Sequence, residues 1–155
     1  MTGLKIVEFD AECADQFKSL NLVWLERYFW VEPIDVEVLS NPEERIIKPG
    51  GMVFFALLDG AVVGTCALIR HTDGLFELSK MAIADNHQEQ GIGTQLLSHV
   101  IEWARYRSIK TLFVETNTVL ERAVRLYQRV GFREITLASS NSHYHRTNLK
   151  MELNL

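Results

Sequence analysis

The sequence lacks most of the features that staple a chain or anchor it to a larger surface. Of its 155 residues only two are cysteine, Cys13 and Cys66, and they do not share a CxxC spacing. A disulfide framework is thereby excluded, and a reduced, cytoplasmic setting is expected. No apolar run approaches the roughly 18 residues of a membrane span. Positive charge is not in excess: 16 Lys and Arg stand against 20 Asp and Glu, a net charge of −4. Neither nucleic acid nor an anionic membrane is therefore an expected partner. The opening residues, Met1 to Asp10, show no basic region followed by an apolar one, so no secretory leader is expected there. With 47% hydrophobic and 23% charged residues, disorder is also excluded. A single domain over residues 1–155, with a core that needs no metal, is the expectation.

The pattern along the chain alternates between two periods. Lys5 to Phe9 reads as a short strand, and Phe17, Leu20, Trp24 and Tyr28 mark a helical stripe. Pro33 to Val36 opens a second short helix that Asn41-Pro42 ends, and Lys48 to Gly51 is a loop. Three strands follow, Met52–Leu58, Ala61–Arg70 and Leu75–Ala84, with Asp59-Gly60 as a type I′ hairpin turn. The period then changes. Ile92, Leu96, Leu97, Val100, Ile101 and Ala104 form one face of a helix ending near Arg107. Thr111–Glu115 is a strand, and Leu120, Ala123, Val124, Tyr127 and Val130 line a further helix closed by Gly131. Phe132–Ala138 and His145–Leu153 end the chain as strands around the polar loop Ser139 to Ser142. This order predicts an α/β (α+β) fold, a mixed sheet with helices on both faces.

Chemistry concentrates between Leu75 and Gly93. A strand runs into the polar loop Asp85 to Gln90, and Gly91-Ile92-Gly93 starts a helix. The first N–H groups of a helix lack internal partners and carry the positive end of its dipole, so they suit an anion without basic side chains. An isolated G-x-G is equally a tight strand-to-helix turn. Position 96 is Leu, so the dinucleotide fingerprint is absent; Gly93 is followed by Thr94-Gln95, so there is no P-loop. No G-x-S-x-G elbow exists either. His143 and His145 share an H-x-H spacing, but no further ligand pattern supports a metal, and an exposed turn is expected. Cys66 reads as a small core residue.

Gln88-Glu89-Gln90-Gly91-Ile92-Gly93 resembles the Q/R-x-x-G-x-G/A signature of the GNAT acetyltransferase superfamily, placed after a strand and before a helix as in that family. Leu126-Tyr127-Gln128-Arg129-Val130-Gly131-Phe132 resembles its LY-x-K/R-x-GF helix end, and Asn117 follows the preceding strand where the family often has asparagine. The resemblance runs from about Val53 to Phe132. It implies a mostly antiparallel sheet of about seven strands and an acetyl-CoA-dependent N-acetyltransferase acting on a primary amine of a small molecule or protein. Exposed terminal strands often pair between subunits in this fold, so a homodimer is one expectation.

The same resemblance assigns roles. Gln88, Glu89, Gln90, Gly91, Ile92, Gly93 and Thr94 would wrap the pyrophosphate with backbone amides. Met81, Ala82 and Ile83 would pair main chain with the pantetheine arm, and the Met81 N–H would stabilise the oxyanion. Tyr127 would protonate the departing thiolate, Asn117 would contact the cofactor, and Glu77, four residues before Met81, would be the base. Each has a plain structural alternative: core strand residues for Met81 and Ile83, a core tyrosine for Tyr127, a solvent-facing glutamate for Glu77. The loop lacks the usual Arg or Lys; Arg122, Arg125 and Arg129 form a helical stripe that could meet the 3′-phosphate or simply be a solvated face. Trp24, Tyr28, Phe29 and Trp30, with Glu26, Glu32 and Asp35 nearby, would wall a pocket for a cationic amine or serve only helix packing. The competing class is a CoA-binding sensor or interaction module without catalysis.

Overall fold

The structure, a computed structural model, describes residues 3–135 and 146–155. Its elements are β1 (Leu4–Glu8), α1 (Ala14–Tyr28), α2 (Pro33–Ser40), β2 (Met52–Leu58), β3 (Ala61–Thr72), β4 (Leu75–Ile83), α3 (Ile92–Tyr106), β5 (Thr111–Thr116), α4 (Glu121–Arg129), β6 (Arg133–Ile135) and β7 (Leu149–Asn154). Among the described residues the strands form one seven-stranded sheet in the order β1-β2-β3-β4-β5-β7-β6. Only β4 and β5 run parallel; every other neighbouring pair is antiparallel. This is the mixed sheet that the order of elements predicts, with the mostly antiparallel, seven-stranded form that the resemblance implies.

Central strands must bury both faces, so their apolar residues run without interruption. In β2, Val53 and Phe55 point to one side and Phe54 to the other, and all three are fully buried. Phe54, Cys66 and Leu68 join α3 residues Leu96, Leu97, Val100, Ile101 and Ala104 in one cluster. Val53, Phe55 and Ala67 join Phe17 and Leu25 of α1 and Val38 and Leu39 of α2 in the other. The helices therefore cover both faces, and Cys66 is the core residue its setting suggested. Asp59 (φ 50°) and Gly60 (φ 86°) both have the positive φ that a type I′ turn requires.

Several boundaries depart from the periodicity. Strand β1 starts and ends one residue earlier than expected, because Asp10 caps a short 3₁₀ turn by accepting from the Glu12 N–H at 2.9 Å. The buried face of α1 is Phe17, Asn21 and Leu25, whereas Tyr28 of the expected stripe is half exposed. An asparagine on the core side hid that face from an apolar count. A π-helical turn, Glu43–Ile47, follows α2 and buries Ile46. The last strand is Leu149–Asn154, so Arg146 to Asn148 precede it rather than forming its first turn of pairing. Residues 136–145, with the expected end of β6, the loop Ser139 to Ser142, and the His143/His145 pair, lie outside the described residues.

Two local features open a site in the sheet. Pairing between β3 and β4 passes from Ala67↔Ser79 to Thr65↔Ala82, so Cys66 faces two residues, Lys80 and Met81. This bulge is held with Lys80 at φ 54°, a conformation uncommon for a bulky side chain. Beside it, β4 and β5 pair only over Leu75↔Thr111, Phe76↔Leu112 and Glu77↔Phe113. Beyond Glu77 the two strands part.

Candidate active site

The gap between β4 and β5 widens into a cleft of about 1040 Å³. Met81, Ala82 and Ile83 line it from the β4 edge and Val114, Glu115, Thr116 and Asn117 from the β5 edge, and Leu126 and Tyr127 of α4 line it too. Gln88, Glu89, Gly91, Ile92, Gly93 and Thr94 line one end, and Glu77 also reaches the cleft. Of the expected catalytic and cofactor-binding residues, Gln90 is the one that does not line it. Gln90 is turned to the Asn86 carbonyl, to which its side-chain nitrogen donates at 3.5 Å. Of the expected aromatic wall, Trp24, Tyr28 and Phe29 line the cleft but the exposed Trp30 does not, nor do Glu26, Glu32 and Asp35.

Helix α3 begins at Gly91 in the left-handed region (φ 79°), and no side chain caps its first turn. A Cβ built on Gly91 would meet nothing within 4 Å, whereas one on Gly93 would lie 3.2 Å from Leu126 Cδ2 and 3.5 Å from Met81 Cε. There is thus open space beside Gly91 and tight packing beside Gly93. Such an uncapped turn could hold an anion with main-chain amides alone. Positive charge reaches this loop from α4: Arg122 donates to Gln88 Oε1 at 2.7 Å and pairs with Glu89 at 3.1 Å. Arg129 donates to Thr94 Oγ1 at 3.4 Å, and Arg125 lines the same end. The pair Arg27–Asp85, 2.6 Å apart, ties the loop to α1.

Tyr127 is 5% exposed, with its ring 5.8 Å from Phe132. Burial, with a smaller contribution from Cys66, pushes its phenol well above the ordinary tyrosine value, so it stays protonated at neutral pH. Glu77 is not a free carboxylate: its Oε1 lies 2.9 Å from His71 Nε2. The Glu77 hydrogen bond raises the His71 imidazole above its usual value despite partial burial. Asn117 uses its amide within the chain, donating to the Arg146 carbonyl at 2.6 Å and accepting from the Val119 N–H at 2.9 Å.

The structure also gathers residues with no apolar or motif signal in the sequence. Asp35, fully buried at the N-terminus of α2, accepts from both ends of the Arg146 guanidinium at 2.7 and 2.9 Å. Lys80 Nζ donates to Asp35 at 3.3 Å, and Glu32 completes the group through Arg146 at 2.9 Å. Burial alone would raise the Asp35 carboxyl, but the bonds from Arg146 and the Glu32 N–H, with the Lys80 charge, hold it below the ordinary range. Burial in turn lowers the Lys80 ammonium, which Asp35 only partly offsets. Glu32 and Asp35 are thus already matched by cations. They do not stand open to a cationic amine, although Lys80 and Arg146 themselves reach the cleft.

The sequence profile described as the acetyltransferase (GNAT) family matches residues 17–132. Among curated proteins, the chain is 32% identical to N-acetylaspartate synthetase of Rattus norvegicus over 108 residues, 68% of this chain and 35% of that protein. It is 27% identical to the uncharacterized N-acetyltransferase YobR of Bacillus subtilis over 123 residues, 79% of this chain and 48% of that one. The matched region therefore spans less than half the length of these relatives. Among solved structures, a GNAT-family acetyltransferase of Staphylococcus aureus Mu50 superposes with a TM-score of 0.88 at 24% identity, over 97% of this chain and 98% of that one. The yncA protein of Salmonella typhimurium, solved with acetyl-CoA as its cofactor, gives a TM-score of 0.76 at 19% identity over 99% and 94%. With a profile match over most of its length and the strand order, bulge and cleft described above, the chain belongs to the acetyltransferase (GNAT) family.

Proposed function

We propose that this chain is an acetyl-CoA-dependent N-acetyltransferase that transfers acetyl directly to a primary amine within a ternary complex. One observation supports this above the others: β4 and β5 stop pairing after Glu77↔Phe113, and the gap runs from the Lys80–Met81 bulge to the uncapped first turn of α3. In this reading the free edge of β4 at Met81, Ala82 and Ile83 accepts an extended pantetheine arm as an added strand. The amides of Gly91 to Thr94 hold the pyrophosphate, with Arg122 offsetting the charge of Glu89. Acetyl-CoA supplies the activated acyl group.

The Met81 N–H donates to the thioester oxygen and to the oxyanion that forms when the amine nitrogen attacks the carbonyl carbon. As the carbon–sulfur bond breaks, the Tyr127 hydroxyl gives its proton to the sulfur. Glu77, oriented by His71, accepts the proton shed by the amine through a water. Trp24, Tyr28 and Phe29 wall the side from which the acceptor enters. The rat relative is named as a synthetase of N-acetylaspartate, which puts amino acids first among acceptors to be tried, with peptides beside them. Cys13 and Cys66 are both free thiols, in keeping with the reducing cytoplasm we propose as its location.

Calorimetry with acetyl-CoA, followed by thiol release across a panel of amines, tests the reading. The expected result is saturable uptake and thiol release that depends on at least one amine. Uptake without release from any amine would favour a CoA-binding module, and no uptake by folded protein would reject both.

A further inference from the structure

The peptide between Lys80 and Met81 carries the amide on which the proposed reaction depends, and something must hold that peptide at one angle. A bulge leaves its extra residues out of the strand ladder, so neighbouring strands do not fix their carbonyl and N–H directions. Across the bulge, Asn21 does so from α1. Its Nδ2 donates to the Lys80 carbonyl at 3.1 Å and to the Phe17 carbonyl at 2.9 Å, and its Oδ1 accepts from Trp24 Nε1 at 3.1 Å. The orientation of this amide follows from its partners: an indole N–H only donates, so it must face the oxygen, and carbonyls only accept, so they must face the nitrogen. Asn21 is fully buried, and its side-chain amide is held by these three hydrogen bonds.

In a planar trans peptide the C=O and N–H point in opposite directions. An amide that grips the Lys80 carbonyl from α1 therefore turns the Met81 N–H away from α1. A hydrogen bond to a peptide oxygen also draws electron density from the nitrogen, which makes the N–H of the same peptide a stronger donor. Lys80 sits in the left-handed region at φ 54° while 6% exposed, so the bulge is held against its own backbone preference.

We infer that Asn21 is a positioning residue that clamps the Lys80–Met81 peptide from behind, aiming and polarising the Met81 N–H toward the thioester oxygen. The inference rests on the proposed role of Met81 as oxyanion donor. Asn21 touches neither substrate; it acts through one peptide plane. A purely structural asparagine would tie α1 to the sheet and leave the carbonyl of bound acetyl-CoA unaffected.

The test uses acetyl-CoA labelled with ¹³C at the thioester carbonyl, and the variants Asn21→Leu and Asn21→Asp. Both variants remove the donor, and the second keeps the shape. Expected is a kcat lowered about 10-fold or more with a KM for acetyl-CoA within about twofold. The bound carbonyl resonance should also move back toward its value in free acetyl-CoA. Folded variants that keep wild-type kcat and the wild-type carbonyl resonance would overturn the inference. If neither variant folds, the unmodified protein still decides the matter. On addition of acetyl-CoA, but not of CoA, the Asn21 side-chain amide protons should shift together with the Met81 amide. A Met81 shift without an Asn21 shift overturns the clamp, whereas no Met81 shift overturns instead the reading of Met81 itself.

Discussion

Tyr127 lies on the only buried position of α4, and its surroundings decide what its hydroxyl can do. The ring is buried, its phenol is pushed up and so keeps its proton, and the residue lines the cleft, as the proposed general acid requires. Replacing it with Phe removes one oxygen from an otherwise apolar contact with Phe132. The Tyr127→Phe protein should keep its melting temperature within a few degrees and lose about 100-fold in kcat, as general-acid catalysis typically contributes at least that much. Unchanged turnover in a thiol-release assay rejects the role. Tyr127 was readable from its place before Gly131-Phe132. Asn21 and Lys80 were not, because a buried polar side chain interrupts the apolar stripe that marks a core face. Nor does any local signal tell that a lysine will adopt positive φ.

The start of α3 joins a backbone requirement to the proposed binding one, and the two can be separated. Gly91 (φ 79°) and Gly60 (φ 86°) both need the left-handed region, and a Cβ on either would meet nothing within 4 Å. An alanine at each position should therefore cost a similar 1–2 kcal/mol or so in denaturant unfolding, since only backbone strain is added. The two differ in what lies outside them. Gly91 lines the cleft, and Gly60 sits in the β2–β3 turn. If the loop holds the pyrophosphate as proposed, Gly91→Ala should weaken acetyl-CoA binding at least about 10-fold by calorimetry, because a methyl group enters that space. Gly60→Ala should leave it unchanged. Equal affinities for the two variants would remove the loop from the cofactor site. Helix α3 was legible residue by residue because its six buried positions are all apolar at helical spacing. Helix α1 was legible as a helix but not in its rotation.

Over the whole molecule, the buried ions tie together parts of the chain that are far apart in sequence. Asp35 at the start of α2 holds Lys80 of the bulge and Arg146 ahead of β7. Its carboxyl is held below the ordinary range in the folded protein, so its contribution to stability is present above the unfolded value near pH 3.9 and is lost as pH falls through the lower folded value. Asp35→Asn removes the buried carboxylate that Lys80 and Arg146 share, leaving Glu32 as the acid facing Arg146, and should cost about 3–5 kcal/mol at pH 7. The gap between the two proteins should narrow below about pH 4. Urea unfolding of both proteins across pH 3 to 7 checks it, and a gap that does not change with pH would mean Asp35 is not ionised in the folded state. The alternating strands, the glycine-led helix and the Tyr-Gly-Phe helix end were all written in local pattern, because period, chain reversal and helix capping are properties of a few adjacent residues. The parting of β4 from β5, the clamp of Asn21 on a bulged peptide and the quartet of Asp35, Glu32, Lys80 and Arg146 were not. Each depends on groups far apart in the sequence, from Glu77 and Phe113 to Glu32 and Arg146, meeting in a low-dielectric interior, and such a meeting exists only once the sheet and its helices have packed.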